Sequence, residues 1–327
     1  MGCLLVAAAL CCSGMLAVAQ GRSCPEAADF LPCTCDIEGI SCGKANSTAE
    51  LTKAFQTDGP KEHRELWIQR STVESFPTGV LGDFVFRNIY IEMNANLTAF
   101  NLSSLNKSRT FIMKLSLFGN ALTTFAYNGI GRFPKLTMLN LGKNRLERIP
   151  DHAFQHPKLK MLVLSDNPIR AVGAYAFSAL PELEMLLLTG TRITRLGSYA
   201  LSLGSRAPEL KVLLSEGNLA SLSTLAFSDT RAQILCLGQN NLTEFPRDVF
   251  FPILERLERR RQATGKVSSL RVSGNPFSCT GCSFKWLVSI KNQLLSRQLL
   301  SGFECADGTT LARLSYARIG CWPQIVG

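Results

Sequence analysis

From Leu136 the chain reads Leu136-x-x-Leu139-x-Leu141-x-x-Asn144-x-Leu146-x-x-Ile149, and the same string returns as Leu159-x-x-Leu162-x-Leu164-x-x-Asn167-x-Ile169-x-x-Val172. No other feature constrains the fold as much. A unit this short cannot bury its own apolar side, so successive units must stack into a solenoid. Counted on the second leucine-type residue, units begin at Leu66, Ile89, Leu115, Leu139, Leu162, Leu186, Leu213, Leu235 and Leu270. In each, a short strand turns two leucine-type residues inward, and the following asparagine has an amide suited to satisfying backbone groups at the turn. Asn120, Asn144, Asn167, Asn218, Asn240 and Asn275 make up the predicted ladder, with the Thr191 hydroxyl in the same place in the sixth unit. A second rule places large apolar residues five apart: Phe76/Leu81, Phe100/Leu105, Phe125/Ile130, Ile149/Phe154, Val172/Phe177, Leu196/Leu201, Leu222/Phe227 and Phe245/Phe250. These predict a continuous spine along the outer side of the core. The expected architecture is an α/β solenoid, a horseshoe with parallel strands on its concave face.

Departures from the period mark irregular places. The second unit has an extra residue before Leu97 and the seventh lacks one before Leu219, so a bulge or kink is expected at each. Residues 251–266 are an insertion in which Ile253, Leu254 and Leu257 lie beside Arg256, Arg259, Arg260, Arg261 and Lys266. That spacing predicts a short amphipathic helix. A solvated surface helix is the default reading, with an acidic partner or a tribasic processing site as alternatives.

An open solenoid end exposes apolar core and needs a cover. Of the 12 cysteines, Cys24, Cys33, Cys35 and Cys42 gather before the repeats, and Cys279, Cys282, Cys305 and Cys321 after them. Cys236 is left over, and Cys3, Cys11 and Cys12 lie in an uncharged apolar stretch ending Ala17-Val18-Ala19, which reads as a signal segment with Gln20 as the first mature residue. Disulfide-rich ends fit an oxidising compartment. So do the N-glycosylation triplets at Asn46, Asn96, Asn101, Asn106 and Asn241. No later stretch has the ~18 apolar residues of a membrane span. The expected organisation is a signal segment (1–19), an N-terminal cap (20–62), repeats (63–274) carrying the basic insertion, and a C-terminal cap (275–327) of a secreted protein.

The repeats together with Cys24-Pro25 through Cys33-x-Cys35 to Cys42 resemble extracellular leucine-rich-repeat proteins. Asn275-Pro276-Phe277-x-Cys279 through Cys282, Trp286-Leu287, Cys305 and Cys321-Trp322 resembles their C-terminal cap. The resemblance implies bonds from Cys24 to Cys35, Cys33 to Cys42, Cys279 to Cys305 and Cys282 to Cys321. By itself Cys279-Thr280-Gly281-Cys282 also has the form of a redox pair or half a zinc site, but its flanking residues favour the structural reading. More narrowly, the stretch Cys24 to Cys35 is similar to arthropod secreted proteins related to the non-catalytic leucine-rich-repeat subunit of oplophorus luciferase. That likeness implies a companion or stabilising subunit.

Signals for catalysis are weak. His152-x-x-x-His156 has the spacing of two zinc ligands on a helix but lacks the metalloprotease glutamate and flanks Phe154 of the spine. There is no Gly-x-Ser-x-Gly, phosphate loop or dinucleotide fingerprint, so no enzyme, metal or cofactor is expected.

Binding is better supported. The residues just before and just after the second leucine point away from the core. They read Met138, Met161, Met185, Val212, Ile234 and Asn140, Val163, Leu187, Leu214, Cys236. Such a strip exceeds the apolar patch a soluble monomer normally exposes, and methionines adapt to varied partners. It fits a protein partner first and a homodimer second, unless the seventh unit's irregular register rotates Val212 and Leu214 away. Cys236 is either a passive thiol or an interchain disulfide. The net charge of +10, part of it in the C-terminal cap, makes anionic glycans a secondary partner and argues for no role with nucleic acid in an exported chain. Two functions remain: a non-catalytic subunit gripping a secreted or cell-surface protein, and a free recognition molecule in immunity or adhesion.

Overall fold

The computed structural model describes residues 23–322; the expected signal segment (1–19), with Gln20 as expected first mature residue, and residues 323–327 lie outside them. Twelve strands form one sheet in which spatial order follows chain order. Only the first pair, Thr34–Cys35 with Gly39–Ser41, is antiparallel; every later neighbour is parallel. Across the strands Leu66, Ile89, Leu115, Leu139, Leu162 and Leu186 stand in register, each fully buried. Burying one such side chain contributes roughly 1.5–3 kcal/mol. Here the burial comes almost entirely from the coils above and below.

Short two-stranded pairings run on the opposite side, at Ser75–Phe76 with Ala99–Phe100, Arg148–Ile149 with Ala171–Val172, and Arg195–Leu196 with Ser221–Leu222. Each contains the first member of a five-apart pair, and at two places spine rings of adjacent coils stack. Phe76 lies 5.3 Å from Phe100, and Phe154 5.5 Å from Phe177.

The asparagine ladder joins coil to coil. The Asn167 amide donates to Leu141 O of the preceding coil (2.9 Å) and to Leu164 O of its own (3.0 Å), while its oxygen accepts from Leu146 N (3.1 Å). Asn144, Asn240 and Asn275 repeat the scheme. Asn120 keeps the two donor bonds and accepts from Asn94 N. Asn94 itself is a further rung, bonded to Ile68 O and Ser71 N. The extra residue of the second unit therefore falls after the ladder position.

The seventh unit differs from expectation. Val212, not Leu213, pairs in register with Leu186 and Leu235, and Val212 and Leu214 are the inward pair, 0% and 2% exposed. Three residues after Leu214 comes Gly217, so glycine holds the ladder place and Asn218 is exposed. From Val212 through Leu214, Gly217 and Leu219 to Leu222 the spacing is that of the regular units, so no residue is missing there; the short step lies before the strand, where buried Leu210 precedes Val212 by two residues instead of three. Counting from Leu213 shifts the unit by one, which swaps core for surface in a strand.

The insertion forms helix α2 (Arg247–Thr264), following α1 (Thr48–Ala54) of the N-terminal end. It starts earlier than the insertion because Val249 and Phe250 belong to its buried face with Ile253, Leu254 and Leu257. Phe250 stacks on Phe245 at 3.8 Å, completing the spine. Gly265, at φ +67°, takes the left-handed conformation that ends the helix. The disulfides join Cys24–Cys35, Cys33–Cys42, Cys279–Cys305 and Cys282–Cys321. Beneath the first two, Phe30 packs on Phe55 and Phe84; at the other end Phe303 and Trp286 cover Phe245, and Trp286 Nε1 donates to Phe245 O.

Asn167→Ala strands one N–H and two carbonyls in a dry turn, at about 1–3 kcal/mol for each group left unsatisfied. Urea denaturation should place it about 3 kcal/mol or more below the parent, while Asn218→Ala stays within about 0.5 kcal/mol.

Candidate partner-binding face

Because strand side chains alternate, the strands that bury their central residue display the residues on either side of it. Met138, Met161, Met185, Lys211 and Ile234 form one column in register, and Asn140, Val163, Leu187, Leu213 and Cys236 the next. All ten are half-buried. The structure therefore brings together Met138, Met161, Val163, Met185, Leu187, Ile234 and Cys236. It removes Val212 and Leu214 to the core and supplies Lys211 and Leu213 in their place. Lys211 breaks the methionine column; Leu213 keeps the second column apolar. At ~4.8 Å per strand the five strands give a strip roughly 19 Å across.

Sequence reading did not include the position after the third leucine, and one residue there matters. Phe118 is half-buried, and a Cβ at Gly142 in the next coil would come within 3.3 Å of both Phe118 Cδ2 and Val163 Cγ1. The bare glycine lets Phe118 lie beside Val163 and extends the strip. The lone aromatic in that column was the available signal. Toward the N-terminal end Trp67 and Tyr90 stack at 6.3 Å, flanked by Glu65 and Glu92. Burial, helped by these two carboxylates, pushes the Tyr90 hydroxyl above its ordinary range. Arg271 adjoins Cys236 at the other end. An acidic, aromatic margin thus faces a basic one across an apolar centre.

Cys236 is the free cysteine among the described residues. Burial pushes its thiol up, against a smaller opposing effect of Arg271, which lowers its thiolate content and reactivity. The triplet asparagines Asn46, Asn96, Asn101, Asn106 and Asn241 are all exposed, and none lies in a concave strand.

The histidines are placed apart in role. His152 stacks on Tyr175 at 5.5 Å. His156 is 1% exposed; Lys158 N donates to its Nδ1 (3.1 Å), so Nε2 carries the proton and donates to Phe133 O (2.9 Å). His63 packs on Phe84 and Phe86 at the N-terminal end. Among the described residues no three His, Cys, Asp or Glu side chains gather as a metal site, and no helix is long and apolar enough to cross a membrane.

Residues 134–193 match the leucine-rich-repeat family model. The chain is 27% identical, over 90% of its length and 87% of the relative, to the oplophorus-luciferin 2-monooxygenase non-catalytic subunit of Oplophorus gracilirostris. It is 34% identical to Tsukushi-A of Xenopus laevis over 27% of this chain and 26% of that one. Among solved structures, a chain of the octameric complex of Latrophilin 3 (Lec, Olf), Unc5D (Ig, Ig2, TSP1) and FLRT2 (LRR) superposes with a TM-score of 0.60 at 17% identity, covering 91% of this chain and all of that one. The last likeness is one of fold.

Burial, the largest cause, pushes the His156 and His63 rings below the ordinary histidine range. The unfolded chain takes up protons below about pH 6.5 that the folded rings refuse. Their contribution is present above that pH and is lost as the pH falls. Urea unfolding at pH 7 and pH 5 should show this loss, with a shallower slope in His156→Gln. On non-reducing electrophoresis the protein should run as a monomer, and Cys236→Ser should leave its mobility unchanged; a dimer band abolished by that change would overturn the passive-thiol reading.

Proposed function

We propose that this leucine-rich-repeat protein is a secreted, glycosylated binding protein without catalytic chemistry. It holds a protein partner against the apolar strip of its concave strands, as the companion or stabilising subunit of a secreted assembly. The observation that carries this reading is the strip itself. Met138, Met161, Val163, Met185, Leu187, Leu213 and Ile234 are half-exposed side by side, although the core beneath them is complete without them. Contiguous apolar surface of that kind, interrupted by Lys211 alone and rimmed by Glu65, Glu92 and Arg271, is what an interface needs: a largely dry centre and a charged margin. Two further facts support it. The triplet asparagines all lie off the concave strands, so attached glycans leave the face clear. A relative matching over 90% of this chain is itself a non-catalytic subunit. The disulfides at both ends fit an oxidising, extracellular setting.

A second reading, a free recognition molecule in innate immunity or adhesion, draws on the fold shared with a chain of the octameric receptor complex. Native co-purification from the source separates the two: a stoichiometric secreted partner supports the subunit, and a chain that emerges alone supports the recognition molecule.

Met161→Glu with Leu187→Glu places two charges at the centre of the strip at half-exposed positions, which spares the fold. Partner capture, or self-association if the partner is a second copy, should weaken at least a hundredfold, a loss of about 2.7 kcal/mol, with secretion intact. Unchanged capture by this double variant would remove the concave face from the proposal.

A further inference from the structure

Helix α2 carries charge that its packing does not call for. Between it and the connection leading to the Ile234–Cys236 strand lies a cavity of about 410 Å³, lined by Asp229, Arg231, Arg256, Arg259, Arg260 and Ala263. Four guanidinium groups share this space with one carboxylate. Arg260 spends one nitrogen on Ala207 O, and its Nε is buried without an acceptor. Arg259 donates from Nε to Glu255 O at 3.4 Å and meets the Glu255 carboxylate only at 3.8 Å, which leaves its fork otherwise free. Neither Arg231 nor Arg256 donates a hydrogen bond or closes an ion pair among the described residues. Burial disfavours the charge on Arg256, and Arg259 beside it adds to that, with Asp229 and Glu255 as a weaker opposing pull.

The next residue shows the contrast. Arg261 makes two bonds to Glu258, at 2.8 and 2.9 Å, and Arg297 reaches the same carboxylate at 3.2 Å. One side of the helix is thus neutralised, while the other leaves like charges crowded together with unused donors.

We propose that this cavity binds the sulfate groups of a sulfated glycan. Arginine forks suit tetrahedral oxyanions because each offers two parallel donors, and the cavity falls within the ~300–1,000 Å³ usual for ligand sites. Several under-used guanidinium groups side by side fit repeated sulfates along a chain better than a single anion. The lining has no aromatic ring on which a nucleobase could stack and no large apolar side chain to seat an acyl chain. An exported chain of net charge +10 is also drawn to polyanions over a distance. Asp229 and Arg231 lie between Phe227 of the spine and the Ile234–Cys236 strand, on the flank of the solenoid. The site is therefore separate from the concave strip and stands or falls without it.

The test is elution from immobilised heparin, with affinity for a heparin-derived hexasaccharide measured in solution. The probe variant joins Arg231→Gln, Arg256→Gln and Arg259→Gln, leaving Arg260 and its bond to Ala207 in place. The control joins Arg109→Gln, Arg313→Gln and Arg318→Gln, removing the same charge from scattered exposed positions. The cavity variant should lose tenfold or more in affinity and the control less than twofold. The cavity variant should also unfold at or above the parent's temperature, because mutual repulsion is relieved. Arg259→Gln alone, at an exposed position, should lose affinity severalfold. Desulfated heparin, which keeps its carboxylates, should not compete. Equal losses in the two triple variants, equal competition by desulfated heparin, or capture by phosphatidylserine vesicles in preference to heparin would each overturn the proposal.

Discussion

A coil of this chain has no interior of its own. Its leucines become buried only when another coil lies on each side, so stability is a property of contacts between neighbours. The asparagine ladder is built on the same logic. Asn144, Asn167, Asn240 and Asn275 each tie the turn of their own coil to the backbone of the coil before. The bonds that shape a turn are thus also the bonds that stack it. The two ends, which lack a neighbour, are covered by aromatic side chains pinned under disulfides. Cap, ladder and spine all answer one constraint.

That constraint also creates the binding face. A strand that turns Leu162 inward must turn Met161 and Val163 outward, and parallel stacking in register lines these residues up with Met138, Met185 and Leu187. The face is wide because the repeats are regular. Its edges are chemical: Glu65 and Glu92 beside the stacked Trp67 and Tyr90 at one end, and Arg271 at the other. The flank works differently. There the period is interrupted by α2, which pays for its burial with Val249, Phe250, Ile253, Leu254 and Leu257 and directs its arginines to the side. Regular coils make the apolar strip, and the one insertion makes the cationic cavity.

Most of the strip was legible because alternation in a strand is a rule of two, readable wherever the register is known. Where the register slips, the reading inverts. Val212 and Leu214 were expected outside and lie inside, and Asn218 was expected in the ladder whose place Gly217 takes. Leu210-x-x-Leu213 imitates the start of a unit one residue out of step with Val212-x-Leu214, and the choice is made by the neighbours: only Val212 falls level with Leu186 and Leu235. Phe118 was missed for a related reason. Its reach depends on Gly142 in the next coil having no side chain.

The sequence by itself determined the solenoid, its coil count, the spine, most rungs of the ladder and the location of the capped ends, because these follow from a period and from residue chemistry at fixed offsets. The family resemblance carried the pairing of the cap cysteines, which spacing leaves open. The tertiary structure alone decided which residues of the seventh coil face outward, where α2 begins, and that Arg231 joins Arg256, Arg259 and Arg260 around one cavity. These depend on contacts between coils that no local pattern encodes.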